Sequence, residues 1–206
     1  MGRKPNPARR EDLLARAAEY LHAEGLRGLS LRPLAAALEV SPRTLLYHFG
    51  SKERLVTEVV LLLQQRLEPP AAIENAQSLD DLREGIREFW RTGTQPQAEP
   101  FLRLFLDVLA LALREPSAWR EFLHAAFPRW HALLARKLRA GGYTPAEAEA
   151  EATTLVALNY GLAIDLLATG DRRRTGRAME RSLKERSDTR ARRAGRTSPR
   201  SRRRSP

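Results

Sequence analysis

The side chains best suited to binding a charged polymer lie close together in residues 41–49. Ser41 followed by Pro42 predicts a helix start, because serine caps helix N-termini and proline is tolerated at the first helical position. At 3.6 residues per turn, Leu45 and Phe49 then lie on one face of this helix. The other face combines hydrogen-bond donors with a small apolar surface, formed by Pro42, Arg43, Leu46, Tyr47 and His48. Such a helix fits the major groove of DNA, which is wide enough to admit one.

The flanking segments predict the elements that must hold this helix in place. Asn6-Pro7 predicts the start of a first helix, and Ser30 predicts the cap of a short second one. Ser51 predicts the cap of a fourth helix that ends at Pro69-Pro70. Ala35 is small enough for two helices to cross closely, and the apolar inner face is predicted to consist of Leu34, Leu38, Val40, Leu45 and Phe49. This arrangement predicts a helix-turn-helix.

Between residues 28 and 56 the sequence LSLRPLAAALEVSPRTLLYHFGSKERLV resembles the DNA-binding signature of TetR-family regulators. The matching positions are Val40, Ser41, Thr44, Leu45, Tyr47, His48, Phe49, Ser51, Lys52 and Glu53. The resemblance implies a homodimer that sets two recognition helices into successive major grooves of a palindromic, double-stranded DNA operator. It also implies a regulator, usually a repressor, that a small-molecule effector releases from the operator without any cofactor.

By position, the resemblance assigns DNA contacts to the start and the outer face of the third helix. Ser41, Arg43 and Thr44 are expected to contact bases or phosphates. Tyr47 and His48 are expected to contact the DNA backbone, and Lys52 a phosphate. Arg43 is the best candidate to recognise guanine, since a bidentate arginine contact discriminates by about 1–3 kcal/mol. The remaining members of the predicted DNA-binding surface are Pro42 and Leu46.

Two positions depart from the family pattern. Glu39 stands in the turn where the family often has glycine, so it is expected to adopt a left-handed conformation at a cost of about 1–2 kcal/mol. Leu46 replaces the first of two tyrosines, which leaves an apolar surface for a thymine methyl group or for packing. These departures bear on operator preference rather than on DNA binding.

The rest of the chain continues as helices. Starts are predicted at Ser78 and at Thr144, both with capping-box spacing, and Pro128 is expected to kink or split a helix. By resemblance, this region binds an effector and forms the dimer. The candidate ligand-binding residues are Trp90, Phe105, Asp107, Trp119, Phe127 and Trp130. Core packing is the alternative interpretation for each aromatic, and a salt bridge is the alternative for Asp107.

Two further polar residues interrupt the apolar run before Gly170, namely Asn159 and Asp165. They are expected at the dimer interface, where Gly161 and Ala163 would permit close approach. The run itself, residues 153–169, is judged too short to span a membrane. Without an apolar signal segment at the N-terminus, a cytoplasmic location and no membrane partner are expected.

The net charge of +11 comes from the C-terminal segment, because residues 171–206 hold 15 Lys/Arg and 4 Asp/Glu. A last helix is predicted to about Arg186, and the Arg- and Ser-rich remainder is predicted to be disordered. The predicted organisation is therefore all-α. It comprises a helix-turn-helix domain (1–51), a connecting helix (52–68), an effector-binding and dimerisation domain (69–186) and a disordered basic tail (187–206).

Two other classes of function were weighed against DNA-binding regulation. An enzyme is disfavoured because the sequence has no cysteine, no glycine-rich phosphate loop, no HExxH motif and no nucleophile elbow. His124 and His131 lie about two helical turns apart, so they cannot share a metal on one straight helix. The other alternative is a nucleic-acid-binding or scaffolding protein that acts through its Arg/Ser-rich tail. Deletion of residues 187–206 would separate this alternative from a regulator whose specificity lies in the first domain.

Overall fold

The computed structural model describes residues 6–26, 30–66 and 71–197, and every regular element in these ranges is helical. The first four helices are α1 (Pro7–Glu24), α2 (Leu31–Ala37), α3 (Pro42–Phe49) and α4 (Lys52–Arg66). The caps of α1 and α3 form as predicted: Asn6 accepts from the Ala8 N–H and Ser41 from the Thr44 N–H. Ser51 likewise accepts from the Arg54 N–H at the start of α4. The predicted end of this helix at Pro69-Pro70 lies outside the described residues.

Seven more helices follow: α5 (Ala71–Glu74), α6 (Leu79–Gly93), α7 (Glu99–Arg114), α8 (Arg120–Ala126), α9 (Pro128–Ala140), α10 (Pro145–Thr169) and α11 (Arg172–Thr197). A 3-10 turn, Pro96–Ala98, precedes α7. Both predicted capping boxes are present, Ser78 with Asp81 and Thr144 with Glu147. Pro128 splits α8 from α9, as expected for a residue without a backbone donor. The all-α fold predicted from the sequence is confirmed.

The structure differs from the predictions in three places. Sequence analysis missed α5, because four residues are too few to show helical periodicity. It ended α11 near residue 186, whereas the helix continues to Thr197; alanine and arginine, which are frequent there, have high helix propensities. The predicted disorder of residues 198–206 lies outside the described residues. Finally, α10 is 25 residues long and apolar enough to cross a membrane by length and composition, although core helices of soluble proteins pass the same test.

Two apolar cores organise the helices. The first contains buried residues of α1, α2, α3 and α4 together with residues of α7 and α8. The second contains residues of α5, α6, α9, α10 and α11. The first core crosses the predicted boundary near residue 69. One helix of the predicted helix-turn-helix domain, α1, and the connecting helix, α4, therefore pack directly against α7, and α4 also packs against α8.

The turn between α2 and α3 places Glu39 at φ 58°, which confirms the left-handed conformation expected there. Replacing Glu39 with glycine is expected to raise the free energy of unfolding by about 1 kcal/mol, because glycine adopts this conformation without a Cβ clash. Urea unfolding followed by circular dichroism measures the change. The matched control is Glu19→Gly in the exposed middle of α1, expected to lower the stability by about 1 kcal/mol. If both substitutions lowered the free energy of unfolding by the same amount, the assignment of strain to Glu39 would be contradicted.

Candidate functional site

The outer face of α3 is exposed to solvent, except that Thr44 and His48 are half-buried. Leu45 and Phe49 are 1% and 2% exposed, whereas Leu46 and Tyr47 are 42% and 52% exposed. At the helix start, Ser41, Pro42 and Arg43 are exposed as well, and Thr44 is half-buried. The inner and outer faces are therefore those predicted from the sequence. The predicted DNA-binding residues of α3 are exposed or half-buried, and Lys52, at the start of α4, is half-buried.

The first turn of α3 is held by Ser41. Its Oγ accepts a hydrogen bond from the Thr44 N–H at 3.1 Å and shares a second one of 2.9 Å with the Thr44 hydroxyl. Ser41 therefore fixes the geometry of the helix start. The amide groups at a helix N-terminus carry partial positive charge, so this end of α3 favours an anion such as a DNA phosphate.

The other end of α3 is held by Arg10 of α1, which sequence analysis did not identify. Its Nε donates to the His48 carbonyl oxygen at 3.1 Å, and one guanidinium nitrogen lies 2.6 Å from each Glu58 carboxylate oxygen. The guanidinium also stacks 4.8 Å from the centre of the Phe49 ring. The His48 Nδ1 is buried and has no hydrogen-bond partner within the described parts of the chain. Arg10 thus joins α1, α3 and α4 directly behind the DNA-facing surface.

Lys52 begins α4 and lies beside a carboxylate. Its Nζ is 3.4 Å from Oε1 of Glu53. Burial raises the pKa of Glu53, but hydrogen bonds from its own backbone amide, Lys52 and Ser51 outweigh burial and leave this pKa below its ordinary value. Glu53 is therefore ionised at neutral pH. A phosphate that approaches Lys52 has to compete with this half-exposed ion pair.

A cavity opens among α4, α5, α6, α7, α9 and α10. Its empty space is about 930 Å³, counting the part open to solvent. Three of the predicted ligand-binding residues line it: Trp90, Phe105 and Trp130. Phe127 does not line the cavity, but its ring packs on two residues that do. Its ring centroid lies 6.0 Å from that of Phe105 and 5.4 Å from that of Tyr160.

Two of the predicted ligand-binding residues are not at the cavity. Asp107 is exposed, because α7 buries Leu104, Phe105 and Val108 and turns Asp107 to the opposite side of the helix. Trp119 is 2% exposed but belongs to the first core, where its ring meets Phe122 edge-on at 6.5 Å. Asp107 and Trp119 therefore do not line this cavity, and ligand contact at either residue stays a prediction.

The cavity wall is aromatic and uncharged along its described lining. Its polar members are Gln64, Thr94, Asn159 and Tyr160. Burial raises the pKa of Tyr160 to about 12, so its phenol is neutral at physiological pH. Sequence analysis missed Gln64 and Tyr160 and placed Asn159 at a dimer interface. The only signal for Asn159 was that a polar residue interrupts an apolar helical run. This pattern does not distinguish a residue that lines a cavity from one at an interface.

Asp165, which was also expected at a dimer interface, is engaged within the chain. Its two carboxylate oxygens accept hydrogen bonds of 2.7 Å from the Arg174 guanidinium at the start of α11. These hydrogen bonds hold the pKa of Asp165 below its ordinary value. The pair links the C-terminal end of α10 to the first turn of α11.

Both halves of the chain match models of known families. Residues 13–59 match the model described as "Bacterial regulatory proteins, tetR family", and residues 78–188 match that described as "BetI-type transcriptional repressor, C-terminal". No protein of curated function matches the sequence.

Solved structures share the fold over nearly their whole length. A TetR transcriptional regulator of Legionella pneumophila superposes with a TM-score of 0.65 at 20% identity, over 88% of this chain and 97% of that one. A Saccharomonospora viridis protein in complex with choline gives 0.64 at 24% identity, over 87% and 95%. The multidrug binding protein EbrR, complexed with imidazole, gives 0.62 at 25% identity, over 88% and 93%.

Proposed function

The chain belongs to the TetR family of bacterial regulatory proteins, and from this premise we propose that it is a homodimeric repressor released from a palindromic operator by a small molecule. DNA-binding regulation of transcription follows from the family itself. The observation that carries the proposal is the placement of α3, with its apolar face anchored in the core and its donor-rich face exposed. Because its target is DNA, we place its activity in the cytoplasm.

The proposed contacts are those that the family resemblance assigns, and the exposure of α3 supports them. Arg43, on the first turn of α3, faces the base edges, while Tyr47 and His48 lie further along the helix where the DNA backbone passes. Lys52 holds a phosphate at the N-terminus of α4. Ser41 acts by fixing the first turn, and Thr44 offers its hydroxyl beside Ser41. Pro42 and Leu46 supply apolar surface, on which a thymine methyl group can pack.

Support for a homodimer comes from α10. Only 22% of its most apolar 18-residue window is buried within one chain. Ile164 is 49% exposed, and a Cβ added at Gly161 would meet no atom within 4 Å. An exposed apolar face on a long helix is stabilised when a second copy covers it. Two copies related by a two-fold axis would also match the symmetry of a palindromic operator.

Support for an effector comes from the enclosed aromatic cavity and from its position. The cavity borders α4, whose N-terminus carries Lys52. Similar structures hold choline in one protein and imidazole in another. A ligand changes operator affinity only if it binds the two conformations of the dimer with different affinities. The repressor is released if the ligand prefers the conformation in which the two α3 helices are wrongly spaced.

Selection of random DNA duplexes on the purified protein tests the proposal. The expected product is an inverted repeat whose half-sites lie about one helical turn apart, roughly 10 base pairs between centres, or a multiple of that spacing. Placed upstream of a reporter gene, the selected site should lower expression when the protein is present. Absence of any enriched sequence, or enrichment of one unrepeated half-site, would contradict the proposed palindromic operator.

The dimer interface gives a separate prediction. Ile164→Glu is expected to raise the dissociation constant of the dimer at least 100-fold, because two-fold symmetry buries the new carboxylate twice without a partner, at several kcal/mol. Sedimentation velocity over a concentration series measures the change. Leu113→Glu on α7 is the matched control, since Leu113 is 66% exposed and lies on another helix. A fully dimeric Ile164→Glu variant would show that α10 is not the interface.

A further inference from the structure

Besides the apolar packing of the first core, two polar contacts join α8 to α4. Near the start of α8, Glu121 lies 3.5 Å from Arg54 of α4, and this pair is exposed enough to contribute little. At the end of α8, the Ala126 carbonyl accepts a hydrogen bond of 3.1 Å from Nε2 of Gln64, which is also on α4. The same helix begins at Lys52 on the DNA-binding surface. One continuous helix therefore connects the Gln64 contact with the proposed phosphate contact.

The Gln64 hydrogen bond lies at the break between α8 and α9. α8 ends at Ala126 and α9 starts at Pro128, which has no backbone N–H to donate. Carbonyl groups at a helix end require partners from outside the helix, and leaving one unpaired in a buried place is costly. The amide of Gln64 supplies such a partner across a sequence separation of 62 residues.

Gln64 is also part of the cavity wall, so a bound molecule reaches it directly. The cavity contacts α8 by a second route as well. The Phe105 ring lines the cavity and lies 5.7 Å from the Phe122 ring of α8 and 6.0 Å from the Phe127 ring that follows α8. Occupancy of the cavity therefore acts on the end of α8 through both the aromatic cluster and Gln64.

The composition of the cavity wall selects the charge of the ligand. Along the described lining there is no ionised side chain to pair with a charged ligand, and burying an unpaired charge is expensive. Aromatic faces attract cations, but several rings of this wall already pack against one another. Phe89 and Trp130 have centroids 4.4 Å apart, and Phe105 stacks on Tyr160 at 5.3 Å. A neutral molecule with a flat ring system suits this wall best.

We propose that the effector is a neutral, ring-containing molecule with a hydrogen-bond acceptor, and that it takes the Gln64 amide away from the Ala126 carbonyl. The inference rests on the proposed function and names the ligand class and the residue that reports its binding. With Gln64 turned to the ligand, the end of α8 loses its hydrogen bond to α4 and keeps only the apolar packing of the first core. The loss favours a shift of α4, which carries Lys52, relative to α7 and α8, and the spacing of the two α3 helices changes. Gln64 is a positioning residue in this scheme.

Four naphthalene probes of matched shape test the ligand class: 2-acetylnaphthalene, 2-isopropenylnaphthalene, 2-naphthoate and 2-naphthylmethylammonium. Calorimetry of the purified dimer measures binding, and fluorescence anisotropy measures the affinity for the selected operator. The ketone should bind at least tenfold more tightly than the anion and the cation, and it should raise the operator Kd at least tenfold. The isopropenyl probe lacks an acceptor, so it should bind within tenfold of the ketone but change the operator Kd less than twofold.

Gln64→Met tests the residue. Its operator Kd without ligand should lie near that of the ketone-bound wild type, and the ketone should change it less than twofold while still binding within tenfold. Asn159→Leu is the control, because Asn159 lines the same cavity from α10; this variant should keep the ketone response. Melting temperatures confirm that both variants fold. The comparison of ketone with isopropenyl probe on the wild type requires no variant at all.

The outcomes separate this inference from the proposed function. Failure of the wild type to select an inverted repeat overturns the proposed function. A wild type that binds its operator but does not bind the ketone, or binds the cation better, overturns the ligand class. A ketone response in Gln64→Met equal to that of the wild type overturns the role of Gln64. An equal response to the ketone and the isopropenyl probe overturns it as well.

Discussion

Arg43→Ala is expected to raise the operator Kd by roughly 30-fold to 10⁴-fold, the largest effect of any single change on the DNA-binding surface. One bidentate arginine–guanine contact contributes about 1–3 kcal/mol of discrimination, and a dimer on a palindrome makes two such contacts, which together amount to about 2–6 kcal/mol. Arg43 is exposed on the first turn of α3, so its removal leaves no cavity in the protein. The fold and the melting temperature should be unchanged.

Fluorescence anisotropy with the selected operator measures the loss, and a repeat of the selection locates it. The variant should lose preference at one position in each half-site and keep it elsewhere. Arg91→Ala is the matched control, because it removes the same charge from an exposed position on α6. A loss that is equal on every sequence, accompanied by a shallower salt dependence, would show that Arg43 contacts phosphate instead of a base.

The DNA-binding half of the chain was predictable because its signals are local. A capping residue and its partner amide are two or three positions apart, as for Asn6 with Ala8 and Ser41 with Thr44. The left-handed turn at Glu39 was likewise foreseen from one position in the family pattern. The choice of buried face on α3 followed from the spacing of Leu45 and Phe49, since helical periodicity depends only on neighbours within one or two turns.

The contacts that join the helices were not predictable, because they connect distant parts of the sequence. Arg10 bonds to groups 38 and 48 residues away. Gln64 bonds to a carbonyl 62 residues away, and that carbonyl has no side chain to signal it. No periodicity or motif in one sequence records such pairs. The cavity has the same property, since its wall is assembled from six helices.

Asp107 shows a signal that has more than one meaning. A carboxylate within an apolar run was proposed as a candidate ligand contact, with a salt bridge as the alternative interpretation. On a helix, however, Asp107 lies four residues after Arg103 and seven before Arg114, so the three share one face. All three are exposed in the structure. Charged residues at helical spacing indicate the solvent side of a helix even when the average composition of the segment is apolar.

Phe49→Ala is expected to have the largest effect on stability, lowering the free energy of unfolding by about 3–5 kcal/mol. Phe49 is 2% exposed in the first core, so its loss removes apolar burial and leaves a cavity. The Arg10 guanidinium also loses the ring on which it stacks. For a chain of this length the melting temperature should fall by about 6–20 °C. Calorimetry or thermal unfolding followed by circular dichroism measures it.

The control for Phe49→Ala is Leu46→Ala, about one turn earlier on the solvent-exposed side of the same helix. Leu46 is 42% exposed, so its truncation should change the unfolding free energy by no more than about 0.5 kcal/mol. Operator affinity should nevertheless respond to both changes, through lost anchoring of α3 in one variant and lost contact with DNA in the other. If Leu46→Ala destabilised the fold and left the operator Kd unchanged, the side of α3 that carries Leu46 would be the buried one. The assignment of α3 as the DNA-binding helix would then be untenable, because its donor-rich face would be turned towards the core.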